Sequence, residues 1–306
     1  MDEATAFPIS YSNEVRTALD ANRPVVALES TIITQGMPWP RNFEMARAVQ
    51  DVIRAENAVP ATIAIIDGCL HVGLDHKQLE MLAKSDDAMK VSRADMAYAI
   101  AMGKTAATTV AATKIAAAHA GISVFATGGI GGVHAGAETH FDISADLDEL
   151  ARTPVIVVSA GAKAILDLPK TLEVLETKGV PVVTYGADEL PAFWSRRSGL
   201  KTPLRLDSAA DIARFHKTRA AMGIVGGLLV ANPVPTEHEI PLAEIEHHIA
   251  EAVATANVRG ITGKDVTPFL LAQILSMTDG RSLETNIALV ENNARLAAQI
   301  ASAMAR

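Results

Sequence analysis

Residues 118–129 read AHAGISVFATGG. An alanine-rich stretch closes on Gly121, a short run of β-branched and aromatic residues follows, and a glycine pair ends it. A glycine just past a helix takes the left-handed conformation that caps the last carbonyls. A short apolar run bounded by turn residues reads as a buried strand. The same block returns at residues 176–186, ETKGVPVVTYG. A helix–glycine–strand unit that recurs is the building block of an α/β sheet. Strands apolar on both sides belong to a sheet covered by helices on both faces.

Working outward, further runs of this kind place strands at 24–29, 61–67, 122–127, 154–159, 180–185 and 227–231. Helical stretches fall between them at 42–56, 75–84, 109–120, 169–178 and 209–222. Three of these end at Gly121, Gly179 and Gly223. After Asn232 the character changes. Pro233, Pro235 and Pro241 break the chain, and three helices are expected at 242–257, 266–278 and 283–304. In the last, Leu283, Ile287, Val290, Ala294 and Ala297 repeat on one face, with Asn286 on or beside it. The expectation is a three-layer α/β/α fold with a mostly parallel central sheet and a helical C-terminal segment from about residue 240. It forms a single catalytic domain over residues 1–306.

Composition excludes several classes. Hydrophobic residues are 49% and charged residues 20% of the 306, so a disordered chain is ruled out. The net charge is −8, and no basic block provides the clustered cations that nucleic acids require. The single cysteine, Cys69, forbids an internal disulfide and a multi-cysteine metal site, and fits a reducing cytoplasm. The opening MDEATAFPIS lacks the basic and apolar regions of a signal peptide. The longest apolar run, residues 223–233, falls well short of the roughly 18 residues of a membrane span.

Several stretches could carry chemistry. TGGIGG at residues 127–132 follows a strand, and its glycines let backbone amides approach a ligand. No helix obviously opens after it, so it does not match a dinucleotide fingerprint. In FDISADLDEL, residues 141–150, Ser144 is a helix cap, and the acids favour the first helical turn. Asp142 and Asp146 could equally meet at one hard-cation site. Lys163 follows an apolar strand, where open α/β sheets place their ligands. An amine in apolar surroundings loses its proton more readily and attacks carbonyls, although a solvated loop lysine has the same pattern. Glu29 ends the strand VVALE, as a capping acceptor or as an acid. Lys90 and the helix start at Thr108, Thr109 and Val110 could hold a phosphate, or the threonines could be plain caps. Asn286 reads equally as a helix-packing amide. No H-E-x-x-H, P-loop or G-x-S-x-G motif occurs, and the adjacent His247 and His248 read as solvated.

Taken together, the segments ALESTIITQGMPWPRN, KVSRAD, TTVAAT, FATGGIGGVH, FDISADL, SAGAKAILD, GKDVTPFLL and SLETNIALVENNA resemble the pseudouridine-5′-phosphate glycosidase family. They run in the same order from about residue 25 to 297. The resemblance implies reversible cleavage of pseudouridine 5′-phosphate to uracil and ribose 5-phosphate. The sugar C1′ is bonded to uracil C5, a carbon with no lone pair to protonate, so the two-carboxylate route of ordinary glycosidases does not serve. In the family the ribose opens, a lysine forms an imine with C1′, and the C1′–C5 bond breaks once C5 receives a proton. By resemblance Lys163 forms the imine and Glu29 protonates the ring oxygen. Lys90, Val110, Ser144, Ala145 and Asp146 contact substrate, Asn286 adds a polar contact, and Asp142 holds a divalent ion. That ion is commonly Mn²⁺, with Mg²⁺ as the alternative. A homotrimer is implied in the same way. Two positions depart from the family: Ala94 stands after KVSR and Ala135 in GGVHAG, where the family usually has arginine. The same lysine and anion site would also serve a Schiff-base lyase or aldolase on another sugar phosphate. A non-catalytic sugar-phosphate binder would show binding without turnover.

Overall fold

The computed structural model describes residues 7–261, 263 and 266–305. The first half of the chain forms β1 (Ile9–Tyr11), α1 (Asn13–Asp20), β2 (Val25–Leu28), α2 (Thr31–Gln35), α3 (Arg41–Ala55), β3 (Val59–Ile66), β4 (Cys69–Val72), α4 (His76–Ala83), β5 (Met89–Val91), α5 (Arg93–Ala101), β6 (Ala106–Thr108), α6 (Val110–His119) and β7 (Val124–Ala126). The second half forms α7 (Ala137–His140), α8 (Ala145–Arg152), β8 (Ile156–Ser159), α9 (Leu168–Thr177), β9 (Val182–Tyr185), β10 (Leu204–Leu206), α10 (Ala209–Ala221), β11 (Leu228–Ala231), α11 (Leu242–Val258), α12 (Val266–Met277) and α13 (Arg281–Met304).

The strands join in the order β1-β4-β3-β2-β7-β8-β11-β9-β10, with β6 and then β5 branching from β3. The pairings are parallel except those of β3 with β4 and with β6. Strand β3 serves both arrangements: Val59–Thr62 pair in parallel with β2, and Ile63–Ile66 pair antiparallel with β4. Strands β2, β7, β8 and β11 are buried throughout, as expected where helices cover both faces of a parallel sheet. Helix α13 packs on α3 and α10 and against β2, β7 and β8, while α6 packs on α5 and α8 and against β2 and β7.

The six expected strands and the expected helices are present, and Gly121, Gly179 and Gly223 follow α6, α9 and α10 with φ of 74°, 68° and 71°. Five strands, β1, β4, β5, β6 and β10, were not foreseen. They are short, and β1, β4, β5 and β10 are only partly buried, so they lack the continuous apolar run that marks strands such as β2, β8 and β11. The C-terminal segment is also more than an appendage. Helix α13 buries Leu289, Val290, Asn293, Ala297 and Ile300 in the main core, while Leu283 and Ile287 of the expected face are only half-buried. Lys264 and Asp265 of GKDVTPFLL, and the first six residues of the opening stretch, lie outside the described residues. Among the described residues no helix is long and apolar enough to cross a membrane.

Four neighbouring parallel strands set the site. Glu29 follows β2, the glycine loop follows β7, the loop carrying Lys163 follows β8, and Asn232 follows β11. These are adjacent carboxyl ends, where an open α/β sheet leaves its crevice.

Candidate active site

The glycine loop, residues 127–132, orders the crevice. Asn293, fully buried on α13, donates from Nδ2 to the Thr127 carbonyl at 2.9 Å and accepts from Asn232 Nδ2 at 3.1 Å. The loop's far side pairs with the loop after β8: Ile130 N–H donates to the Gly161 carbonyl at 3.0 Å, and Lys163 N–H donates to the Ile130 carbonyl at 3.1 Å. Each glycine admits a different neighbour. A Cβ at Gly128 would lie 3.2 Å from Val290, one at Gly129 would lie 2.8 Å from the Phe193 ring, and one at Gly131 would lie 2.2 Å from Ser144 Oγ. The glycines are therefore there to let three walls close in. The loop passes from an apolar wall at Gly128 to a polar one at Gly131.

The polar wall is built of two helix starts. Ser144 caps α8, its Oγ accepting from Asp146 N–H at 3.2 Å, and Thr109 caps α6, its Oγ1 accepting from Ala112 N–H at 3.5 Å. Asp146, buried, ties the two together: Oδ1 accepts from Ala111 N–H at 2.9 Å and Oδ2 from Gly131 N–H at 2.8 Å. These bonds consume the nearby first-turn amides one by one. Among the described residues the N–H groups of Val110 and Ala145 are left without a protein acceptor. Two open amides at two helix N-termini have the donor geometry that anions use. A valine and an alanine can thus offer a ligand their backbone amides, whatever their side chains. Of the two threonines read as caps, Thr109 is one, while Thr108 closes β6 and its Oγ1 donates to the Ile63 carbonyl at 2.8 Å.

The reactive groups lie along the same loop. Glu29 is 8% exposed, and its carboxylate accepts from the hydroxyls of Thr31 and Thr127. A hydroxyl donates or accepts, so both partners can follow the group through either protonation state. Lys163 is half-buried, and no side chain among the described residues forms an ion pair with it. A cavity of about 370 Å³ brings Glu29, Lys90, Val110, Asp142, Ser144, Ala145, Asp146, Lys163 and Asn286 to one lining, with Thr109 beside them; Thr108, also considered from the sequence, is buried and does not line it.

Three of those residues have partners that refine how they sit. Asp146 does line the cavity, but both its oxygens are occupied by backbone amides, so its carboxylate braces the wall. Asn286 is a packing amide on one side: its Oδ1 accepts from Trp194 Nε1 at 2.7 Å. Asp142 lies beside His134, whose N–H donates to the Asp142 carbonyl at 3.0 Å. Among the described residues no group of three or more His, Cys, Asp or Glu side chains gathers as a metal cage. This donor set fits a hard, mostly hydrated cation held by one carboxylate, and not a dehydrated one. Ala94 and Ala135 are exposed and do not line the cavity.

Sequence reasoning missed the groups that hold the first set in place. Thr31 and Thr127 hold Glu29, Trp194 orients Asn286, and Asn232 with Asn293 anchors the loop. Ser92 and Gln35 line the cavity. Asn293 lies in the quoted ENNA run; its place three residues after Val290 was the available signal for a buried amide.

The fold and site define a class: an α/β enzyme with an unpaired lysine, a buried carboxylate and two helix starts with open amides around one crevice. The chain belongs to the family described as indigoidine synthase A-like protein, which matches residues 14–303. It is 64% identical over 291 residues to a pseudouridine-5′-phosphate glycosidase of Dinoroseobacter shibae, covering 95% of each chain. It is 62% identical to one of Mesorhizobium japonicum, covering 99% of this chain and 100% of that one. A crystal structure of a prealnumycin C-glycosynthase in complex with ribulose 5-phosphate superposes with a TM-score of 0.90 at 38% identity, covering 100% of this chain and 98% of that one. An indigoidine synthase A-like protein of Thermotoga maritima gives 0.91 at 35%, covering 100% and 99%.

Proposed function

We propose that this chain is a pseudouridine-5′-phosphate glycosidase that cleaves the C1′–C5 bond of its substrate reversibly to uracil and ribose 5-phosphate. The observation that carries the reading is the single crevice in which the unpaired Lys163, the hydroxyl-held Glu29 and the open amides of Val110 and Ala145 line one cavity. The high identity to relatives of that name over nearly the whole chain supports it.

The 5′-phosphate sits against the starts of α6 and α8, with Lys90 supplying a cation. Ser144 and the braced Asp146 keep the SAD segment in place there. Glu29, protonated, gives its proton to the ring oxygen as the C1′–O bond breaks, and the Lys163 nitrogen bonds to C1′. The C1′–C5 bond then breaks, its electron pair staying on the base while a proton arrives at C5. The nitrogen lone pair completes a C1′=N imine, and water releases ribose 5-phosphate from Lys163. Asp142 would hold a divalent ion, Mn²⁺ or Mg²⁺, which when bound supplies positive charge for the anionic substrate. A homotrimer and a cytoplasmic setting belong to the same reading. The family resemblance supports the first, and the lone Cys69 agrees with the second.

The test is direct. Incubation with pseudouridine 5′-phosphate and Mn²⁺ should release uracil on chromatography, with ribose 5-phosphate in equal amount. Absence of uracil from folded protein over a range of divalent ions would contradict the reading.

A further inference from the structure

The apolar end of the crevice holds a polar group that the proposed chemistry does not use. Gln35, at the end of α2, lines the main cavity together with Ile32, Met37 and Leu271. It also lines a smaller neighbouring cavity of about 220 Å³, and Asn286 lines both as well. Its Oε1 is buried without a hydrogen-bond partner. A buried acceptor left unpaired is costly, so such atoms call for an explanation. Asn286 presents the complementary case. Trp194 Nε1 occupies its Oδ1, which fixes the orientation of the amide and leaves Nδ2, a donor, for another partner.

We infer that Gln35 is a specificity-determining residue that reads the base: it accepts a ring N–H of uracil while Asn286 donates to a ring carbonyl. This rests on the proposed glycosidase activity and assigns its base subsite. The match is chemical. A uracil attached through carbon keeps both ring N–H groups, each beside a carbonyl, so the edge of the base offers a donor and an acceptor side by side. An uncommitted carboxamide acceptor and an amide donor pinned by Trp194 form the reciprocal pair. The apolar neighbours Ile32, Leu289 and Val290, which close on Gly128, suit the faces of a planar ring. The terminal torsion of a glutamine is broad, so rotation brings the shielded Oε1 to the cavity when a donor arrives.

The experiment compares the two halves of the reverse reaction in wild type and Gln35→Met, a variant of similar size without the acceptor. In the wild type, uracil and ribose 5-phosphate should give pseudouridine 5′-phosphate; if they do not, the functional reading fails, whatever Gln35 does. In Gln35→Met the KM for uracil should rise at least about tenfold, because a site built to pair an N–H loses discrimination when the partner is removed. The KM for ribose 5-phosphate, and borohydride trapping of that sugar on Lys163, should be unchanged. A uracil methylated at the nitrogen that Gln35 reads should be a poor substrate for the wild type, yet suffer little further loss in the variant. An unchanged KM for uracil would overturn the assignment. So would parallel loss of sugar trapping, which would make Gln35 a structural strut.

Discussion

The two ends of the glycine loop are built on opposite principles. At Gly131 the polar groups are paired one to one: Asp146 takes two amides, Ser144 and Thr109 take one each, and the remaining N–H groups of Val110 and Ala145 are what a ligand meets. At Gly128 the walls are side chains of Ile32, Leu289 and Val290, and the polar atoms nearby include one with no partner. The first end is set before substrate arrives, because helix starts cannot rearrange cheaply. The second adapts, because its polar groups sit on rotatable side chains. Such a division suits a substrate with one fixed feature, a phosphate, and one feature that must leave, the base.

Lys163 stands between the ends, its backbone tied to Ile130. Replacing it should therefore abolish turnover while sparing both ends. For Lys163→Met we expect a loss of at least about three orders of magnitude in kcat, with substrate affinity by calorimetry largely retained. Binding lost with turnover would mean that the lysine also holds an end together. Glu29→Gln keeps the shape and the threonine contacts but has no proton to give. Its kcat should fall by at least about a hundredfold, the usual size of an acid–base contribution, with KM little changed. Wild-type turnover in this variant would reduce Glu29 to a brace.

Removing the phosphate tests the rigid end alone. Free pseudouridine should show kcat/KM at least about a hundredfold below that of the 5′-phosphate, with part of the loss in kcat, because fixed contacts remote from the bond orient it for cleavage. Equal values for the two substrates would show that the helix starts are not an anion site.

The smallest effect lies behind the rigid end. Lys114, on α6, is fully buried, and its Nζ has no hydrogen-bond partner. Burial pushes its pKa down to about 7 from 10.5, against the attraction of Glu149 and Asp146 and helped by repulsion from Arg219. Between those two values the unfolded chain holds a proton that the folded chain does not, so stability from this group rises with pH across the window. Urea midpoints measured from pH 7 to 9 should rise for wild type relative to Lys114→Met. A constant difference between them would show that the amine titrates normally.

The alternation of strands and glycine-capped helices was legible because β2, β7, β8, β9 and β11 are apolar on both faces and their neighbours carry local punctuation such as Gly121 and Gly179. The edge strands were not, because three residues such as Ile9–Tyr11 have no period and owe their pairing to the strand alongside. Glu29 was legible because it directly follows a buried strand, and Lys163 because it lies in the short loop after one. The open amides of Val110 and Ala145 were not. They are defined by which neighbouring N–H groups Asp146, Ser144 and Thr109 consume, and that bookkeeping exists only in three dimensions. Asn293 was missed for a related reason: its partners, Thr127 and Asn232, lie on two different strands' ends.

The central claim is that Lys163 bonds to the sugar carbon. The most direct measurement is borohydride reduction during turnover of pseudouridine 5′-phosphate, followed by peptide mass spectrometry. The account predicts a reduced ribose-phosphate adduct on the peptide containing Lys163, and none on Lys90. An adduct on Lys90, or active turnover with no trapped lysine at all, would contradict it.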